Sequence, residues 1–350
     1  MTSYWLLFSA IPLLWLHDRE LRKSKGSLFW ISLVLITILF VGLRHRVGCD
    51  WQNYSDLYES IRLNQEFGLT SLKSILNWGP SYLALNWLAA AIGGGIYLVN
   101  LVCATLAITG LAIFCRTLPS PWLGWAIAFP YFTTVVCMGY TRQSVAIGLF
   151  FAGLTALRKN KILRYALLIL AAGTFHVTAL FLLLLIIFPL IAKRDWRTLS
   201  ILAGFLLLIA AVTLPNILSQ ISGYIGGHHV SHGALIRGLM TALPALALLL
   251  MPKLWANADL TIWRPVGVLA LMLLPAIFFA STPIDRIGLY LLPLQVFVWG
   301  TLPSLNLSKF TQQLAPLAIF IYSGLVLWVW LSFGLNARCW IPYQSILIYS

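Results

Sequence analysis

The sequence predicts an all-α polytopic transmembrane bundle, with roughly 10–12 spans and an outward-facing cavity. Three observations predict it. First, 60% of the 350 residues are hydrophobic and 9% are charged, whereas a soluble domain carries roughly a quarter charged residues. Second, apolar runs such as LFWISLVLITILFVGL (28–43) and ILAGFLLLIAAVTL (201–214) recur along the chain without the period-two alternation of a β-barrel. Third, fifteen of the 23 Lys and Arg residues fall in short loops that can share one side of a membrane, and the positive-inside rule places that side in the cytoplasm. Residues 1–350 read as a single integral membrane domain, with no soluble domain, low-complexity tract or internal repeat.

The run YWLLFSAIPLLWL (4–16) has no basic region before it and no A-x-A-like site after it, and reads as a retained first helix. The basic loop HDRELRKSKG (17–26) precedes the second span, 28–43. An outer loop, 44–79, leads to PSYLALNWLAAA (80–91). Parity allows one crossing before Arg116, assigned to 94–114, so 80–91 becomes an interfacial or re-entrant outer helix hinged at Gly93-Gly94-Gly95. Spans at 121–138 and 142–157 follow, then basic RKNKILR (158–164). Segment 163–192 is basic at both ends and too short for two full crossings. It reads as a helical hairpin rising from the cytoplasm, with GTFHVT (173–178) at its tip inside the protein. After KRDWR (193–197), the remaining spans are 198–214, 235–251, 265–281, 285–302 and 314–334.

The formal charge of +14 reflects interfacial Lys and Arg meeting anionic lipid, and nucleic acid is not implied. The five cysteines show no CxxC spacing and read as small apolar residues.

The other cations gather, by parity alone, on the outer face. GLRHRVGCDWQNY (42–54) places Arg44, Arg46, Asp50 and Tyr54 where the second span stops. Guanidinium is the preferred planar ligand for phosphate; an Arg–Asp pair with a snorkelling arginine is the structural alternative. GYTRQSVAIG (139–148) sets Arg142 and Gln143 in a first helical turn, where a bound anion would complement the dipole; pairing of Arg142 with Asp50 would also serve. His176 at the hairpin tip is either a hydrogen-bonded core residue or a general base. In STPIDRIGLY (281–290), Asp285 and Arg286 form either a local pair or a phosphate or sugar site. GGHHVSH (226–232) reads as a covering outer loop, since His228, His229 and His232 have no neighbouring Asp, Glu or Cys; Arg237 follows at the next helix start. No Walker loop, GxGxxG, HExxH, GxSxG or outer DxD is present, so no cofactor and no metal are expected. The scarcity of intramembrane acids argues against an ion-coupled transporter.

Three motifs in order, R-x-x-V-G-x-D-x-x-x-Y (Arg44, Val47, Gly48, Asp50, Tyr54), R-Q-x-x-A (Arg142, Gln143, Ala146) and F-H-x-[ST]-A (Phe175, His176, Thr178, Ala179), with a C-terminal Pro342-Tyr343, resemble the EpsG family of Wzy-like polysaccharide polymerases. Family members often carry Glu-Pro where this chain has Gly79-Pro80, which makes Asp50 the main outer acid. The resemblance implies a multi-pass glycosyltransferase of the bacterial cytoplasmic (inner) membrane. Such an enzyme joins oligosaccharide repeat units carried on undecaprenyl pyrophosphate at the periplasmic or outer face, alongside a flippase and a chain-length regulator, in exopolysaccharide, capsule or O-antigen synthesis. On that reading Arg44, Arg46, Arg142 and Arg286 hold pyrophosphate, Tyr54 and Gln143 orient sugar or phosphate, and His176 or Asp50 takes the acceptor proton. An O-antigen ligase, a lipid-linked oligosaccharide flippase or polysaccharide transporter, and an export scaffold remain the alternatives.

Overall fold

The computed structural model of the chain describes residues 1–21, 27–64, 77–204, 207, 231, 233–255 and 260–349. Helix α1 spans Thr2–Leu21 and α2 spans Ser27–Gly42. A polar helix, α3 (Trp51–Asn64), and a short apolar one, α4 (Pro80–Ala91), then lie between α2 and α5 (Gly95–Cys115). Pro80 starts α4, where its missing N–H costs nothing. Gly93 and Gly95 take φ of 70° and 66°, and this left-handed turn is the hinge expected from the sequence.

Helix α6 covers Pro121–Gly139 and contains a π-helical stretch, Phe129–Val136. Pro130 cannot donate to the helical ladder, and the Thr134 hydroxyl donates to the Phe129 carbonyl at 3.0 Å. Tyr140 (φ −125°, ψ 59°) breaks the chain sharply into α7, Thr141–Arg158. Two shorter helices follow, α8 (Ile162–Phe175) and α9 (Val177–Lys193), separated by His176 in extended conformation. Last come α10 (Ala234–Leu250), α11 (Leu260–Ala276), α12 (Ser281–Ser304) and α13 (Lys309–Phe333).

Helices α5, α6, α12 and α13 are each long and apolar enough to cross a membrane. Segments Leu28–Gly42, α8, α9, α10 and α11 are apolar but shorter. Helix α6 is wholly buried and forms the central post. Close packing does here what hydrophobic exclusion cannot do between helices in lipid. At the α5–α7 crossing, a Cβ on Gly110 would overlap the Gly148 carbonyl, and one on Gly148 would overlap the Ala107 backbone.

The bundle has two distinct ends. At the basic end Arg158 donates to Thr117 Oγ1 at 3.0 Å and Ser120 N donates to Gly300 O at 3.2 Å. At the other, outer end, the segment after α13 folds back over α2. His45 N donates to Gln344 O at 2.9 Å, Tyr343 OH to Phe40 O at 2.7 Å, and Trp340 Nε1 to Thr134 O at 2.7 Å. Gly48 (φ 98°) passes so close to the Met138 carbonyl that no side chain fits there.

One sequence expectation changes. Cys49 and Cys339, 290 residues apart, form a disulfide across this outer end, whereas Cys103, Cys115 and Cys137 are free and buried as expected. A disulfide suits an oxidising compartment. The expected span 198–214 lies mostly outside the described residues; 198–204 are helical.

The 163–192 hairpin forms as expected. Tyr165 OH donates to Leu182 O at 2.6 Å, joining its arms. With 14 residues, α8 is roughly 21 Å long, short of a hydrocarbon core of about 30 Å. Its tip meets α4, where Ser81 Oγ donates to Thr174 Oγ1 at 2.8 Å.

Two outcomes test this packing and orientation. Gly148→Val forces α5 and α7 apart and should cost roughly 1–3 kcal/mol, read as a lower melting temperature of the purified protein; an unchanged temperature would contradict the crossing. A membrane-impermeant maleimide applied to intact cells should label Cys49 and Cys339 only after reduction. Labelling without reductant would show that the bond is absent.

Candidate active site

Segments far apart in sequence converge at the outer end. The α2–α3 loop brings Asp50, α3 brings Tyr54, and the residues before α4 bring Asn77 and Trp78. The start of α7 supplies Arg142 and Gln143, the hairpin tip supplies His176 and Thr178, and α12 supplies Arg286 and Tyr290. Arg142 Nη1 donates to the Asn77 carbonyl, and its Cζ lies 4.9 Å from the centre of the Trp78 ring. Arg286 stacks over the Tyr140 ring with Cζ 4.0 Å from its centre. Gln143 Nε2 donates to the Arg286 carbonyl at 2.9 Å and reaches the Tyr290 hydroxyl.

Beneath the arginines lies a hydroxyl–imidazole group. Thr178 Oγ1 sits 2.7 Å from His176 Nδ1 and 3.1 Å from Tyr290 OH, which is itself 3.4 Å from Nδ1. His176 stands at the hairpin tip, as expected. The fields of Arg142 and Arg286 both act on it.

Burial pushes the Asp50 carboxyl above the usual carboxylate range, while Arg286 and then Arg142 draw it back. Asp50 therefore shares its surroundings with both guanidiniums. Two buried polar atoms, Arg142 Nε and Gln143 Oε1, have no hydrogen-bond partner among the described residues. Each such atom costs about 1–3 kcal/mol.

Arg44 departs from the expectation that it faces phosphate. It is 1% exposed and donates to Val47 O, Val41 O, Asn100 Oδ1 and Thr141 Oγ1 at 3.3, 2.8, 3.3 and 2.9 Å. Its donors are committed to joining α2, α5 and α7. Arg46 is exposed and takes φ of 52°, beside His45 in the α2–α3 loop. Of the two readings of Asp285 and Arg286, the local pair does not form. Asp285 instead receives two hydrogen bonds from Arg237, at 2.6 and 2.8 Å. His228, His229 and His232 lie outside the described residues. Among the described residues there is no group of three or more His, Cys, Asp or Glu placed to hold a metal.

Sequence reasoning gave Tyr290 no role, although its signal was present. Tyr290 follows Arg286 by four positions on one helix, so the two share a face. Trp78 and Tyr140 carried no such signal, because cation–π contacts between segments leave no local spacing.

Comparison with known proteins adds one result. The family model described as EpsG family matches residues 27–345. No curated protein and no solved structure matches the chain.

Proposed function

The chain belongs to the EpsG family, which fits an exopolysaccharide polymerase-type function, and on that premise we propose that it is a glycosyltransferase joining lipid-pyrophosphate-linked oligosaccharide repeat units at the outer face of the bacterial cytoplasmic membrane. What supports this reading is a pair of guanidiniums, Arg142 beside Trp78 and Arg286 over Tyr140, linked through the Gln143 hydrogen bond to the Arg286 carbonyl, at the end of the bundle away from the basic loops, with Asp50 subject to both charges. The two guanidiniums suit a pyrophosphate and the carboxylate suits a hydroxyl that must lose its proton.

In the proposed step the acceptor sugar oxygen attacks the anomeric carbon of the donor. The bond from that carbon to the pyrophosphate oxygen breaks with its electron pair, and the lipid pyrophosphate departs. Arg142 and Arg286 stabilise the charge growing on the leaving group. Arg142 stands in the first turn of α7, whose unpaired N–H groups also favour an anion. Asp50 takes the acceptor proton, its burial making it a stronger base than an exposed carboxylate. Gln143 Oε1 accepts from a sugar hydroxyl. His176, tied to Thr178 and Tyr290, positions the acceptor from below. Arg44 holds the start of α7, and Arg46 lies outside the reacting group.

In a deletion strain complemented with Asp50→Asn, polymer should fall by roughly 100-fold or more, the usual worth of a general base, with single repeat units retained on lipid. Arg142→Ala and His176→Ala should show the same accumulation. Full-length lipid-linked polymer would instead indicate a ligase, and failure of units to reach the outer face a flippase.

The pH profile tests the role of Asp50. Activity requires the carboxylate, so it is lost as pH falls through the Asp50 pKa, and burial sets that limb above the ordinary carboxylate range. Removing a cation that lowers this pKa raises it, so residual activity in Arg286→Ala should show its acid limb moved to higher pH. An unmoved limb would take the proton transfer away from Asp50.

A further inference from the structure

Helix α12 is a wall shared by two surfaces. Arg286 and Tyr290, four positions apart, belong to the candidate site. Ile284, Gly288, Leu292 and Gln295 follow helical spacing on another face and line a cleft between α10, α11 and α12. Leu273, Leu274 and Ile277 on α11 form its opposite side. The cleft encloses about 480 Å³, its open mouth included. From Asp285 to Gln295 it follows α12 for roughly 15 Å.

The charged and amide groups of the cleft are paired. At the site end Arg237 donates to Asp285 at 2.6 and 2.8 Å. Deeper in, Gln295 Nε2 donates to Thr241 Oγ1 at 2.8 Å, and Thr241 donates to the Arg237 carbonyl at 3.2 Å. What remains for an occupant is chiefly apolar side chain.

Two glycines in the walls differ. A Cβ on Gly238 would overlap Ile277 and Leu274, so the close approach of α10 to α11 demands that glycine. A Cβ on Gly288 would meet no atom within 4 Å among the described residues. Gly288 takes an ordinary helical φ of −55°, and glycine weakens a helix relative to alanine. Neither backbone nor packing calls for glycine there. Its effect is to leave the cleft open roughly 3 Å along the helix from Arg286.

We propose that this cleft holds the first isoprene units of the donor's lipid chain, with the pyrophosphate on Arg142 and Arg286 above it. Two features select that occupant. The charged end of the cleft adjoins the guanidinium site, since Asp285 lines the cleft and the next residue, Arg286, belongs to the site. From there the cleft runs along a membrane-spanning helix toward the middle of an apolar bundle, which is the direction from head to chain in a membrane lipid. A chain leaving the pyrophosphate has only the first turns of α12 to cross before it enters. The inference rests on the assignment of Arg142 and Arg286 to a pyrophosphate.

The test titrates the full chain, at one detergent concentration, with inorganic pyrophosphate, dimethylallyl pyrophosphate and farnesyl pyrophosphate, and reads dissociation constants. Farnesyl pyrophosphate should bind roughly ten-fold or more tightly than the dimethylallyl compound, because each added methylene removed from water favours binding. Gly288→Leu fills the cleft and should erase most of that gain, while inorganic pyrophosphate binds it as it binds the unaltered chain. Met240→Trp narrows the cleft from α10 and should do the same, which decides the matter if Gly288→Leu does not fold. A farnesyl preference that persists in a folded, filled variant, or that is missing from the unaltered chain, would overturn the inference. The head is read separately. Arg142→Ala and Arg286→Ala should each weaken inorganic pyrophosphate roughly ten-fold or more, since each removes charge-assisted hydrogen bonds. Unweakened binding in both would remove the pyrophosphate assignment, and this inference with it.

Discussion

A single buried cation organises the outer end of this protein. Arg44 is withdrawn from water and keeps its charge satisfied only by spending four hydrogen bonds on α2, the 44–50 loop, α5 and α7. Burying a guanidinium is costly unless such partners are supplied, so the geometry tolerates little movement of any of them. One partner, Thr141, immediately precedes Arg142 and Gln143. Another, Val47, precedes Gly48 and the loop that carries Asp50. Arg44 thus fixes the registers of the segments that carry Asp50, Arg142 and Gln143.

The same logic extends downward. The π-helical stretch and the break at Tyr140 let α6 end and α7 begin without a loop between them, and Tyr140 presents its ring to Arg286. The extended residue between α8 and α9 is His176 itself, so the break that ends one helix is also what presents the imidazole. Site residues here sit at interruptions in helices, where irregular backbone is tolerated because protein surrounds it.

Much of the fold was legible in the chain. The shortness of 163–192 gave the hairpin and its tip at His176. The conformational freedom of Gly93 and Gly95 marked the hinge. The site was legible only as a set of residues on one face. Whether an arginine points into a cavity or into the bundle depends on what other segments offer it, and Asn100, Thr141 and Trp78 lie on segments distant from the arginines they contact. Asp285 and Arg286 illustrate the same limit: adjacency in sequence suggested a pair, while Arg237 on another helix won the carboxylate. The disulfide was missed for a similar reason, although Cys49 and Cys339 differ from the other three cysteines in lying outside the apolar runs.

The strap that follows α13 has a consequence for assembly in the cell. Residues 339–346 pair with the end of α2 and with the loop carrying Asp50, yet they leave the ribosome after almost everything they brace. Until they arrive, the loop that carries Asp50 has neither its disulfide nor its main-chain bonds to the strap. A nascent chain can therefore pack most of its helices first, and this end of the bundle is the last part of the fold to be completed.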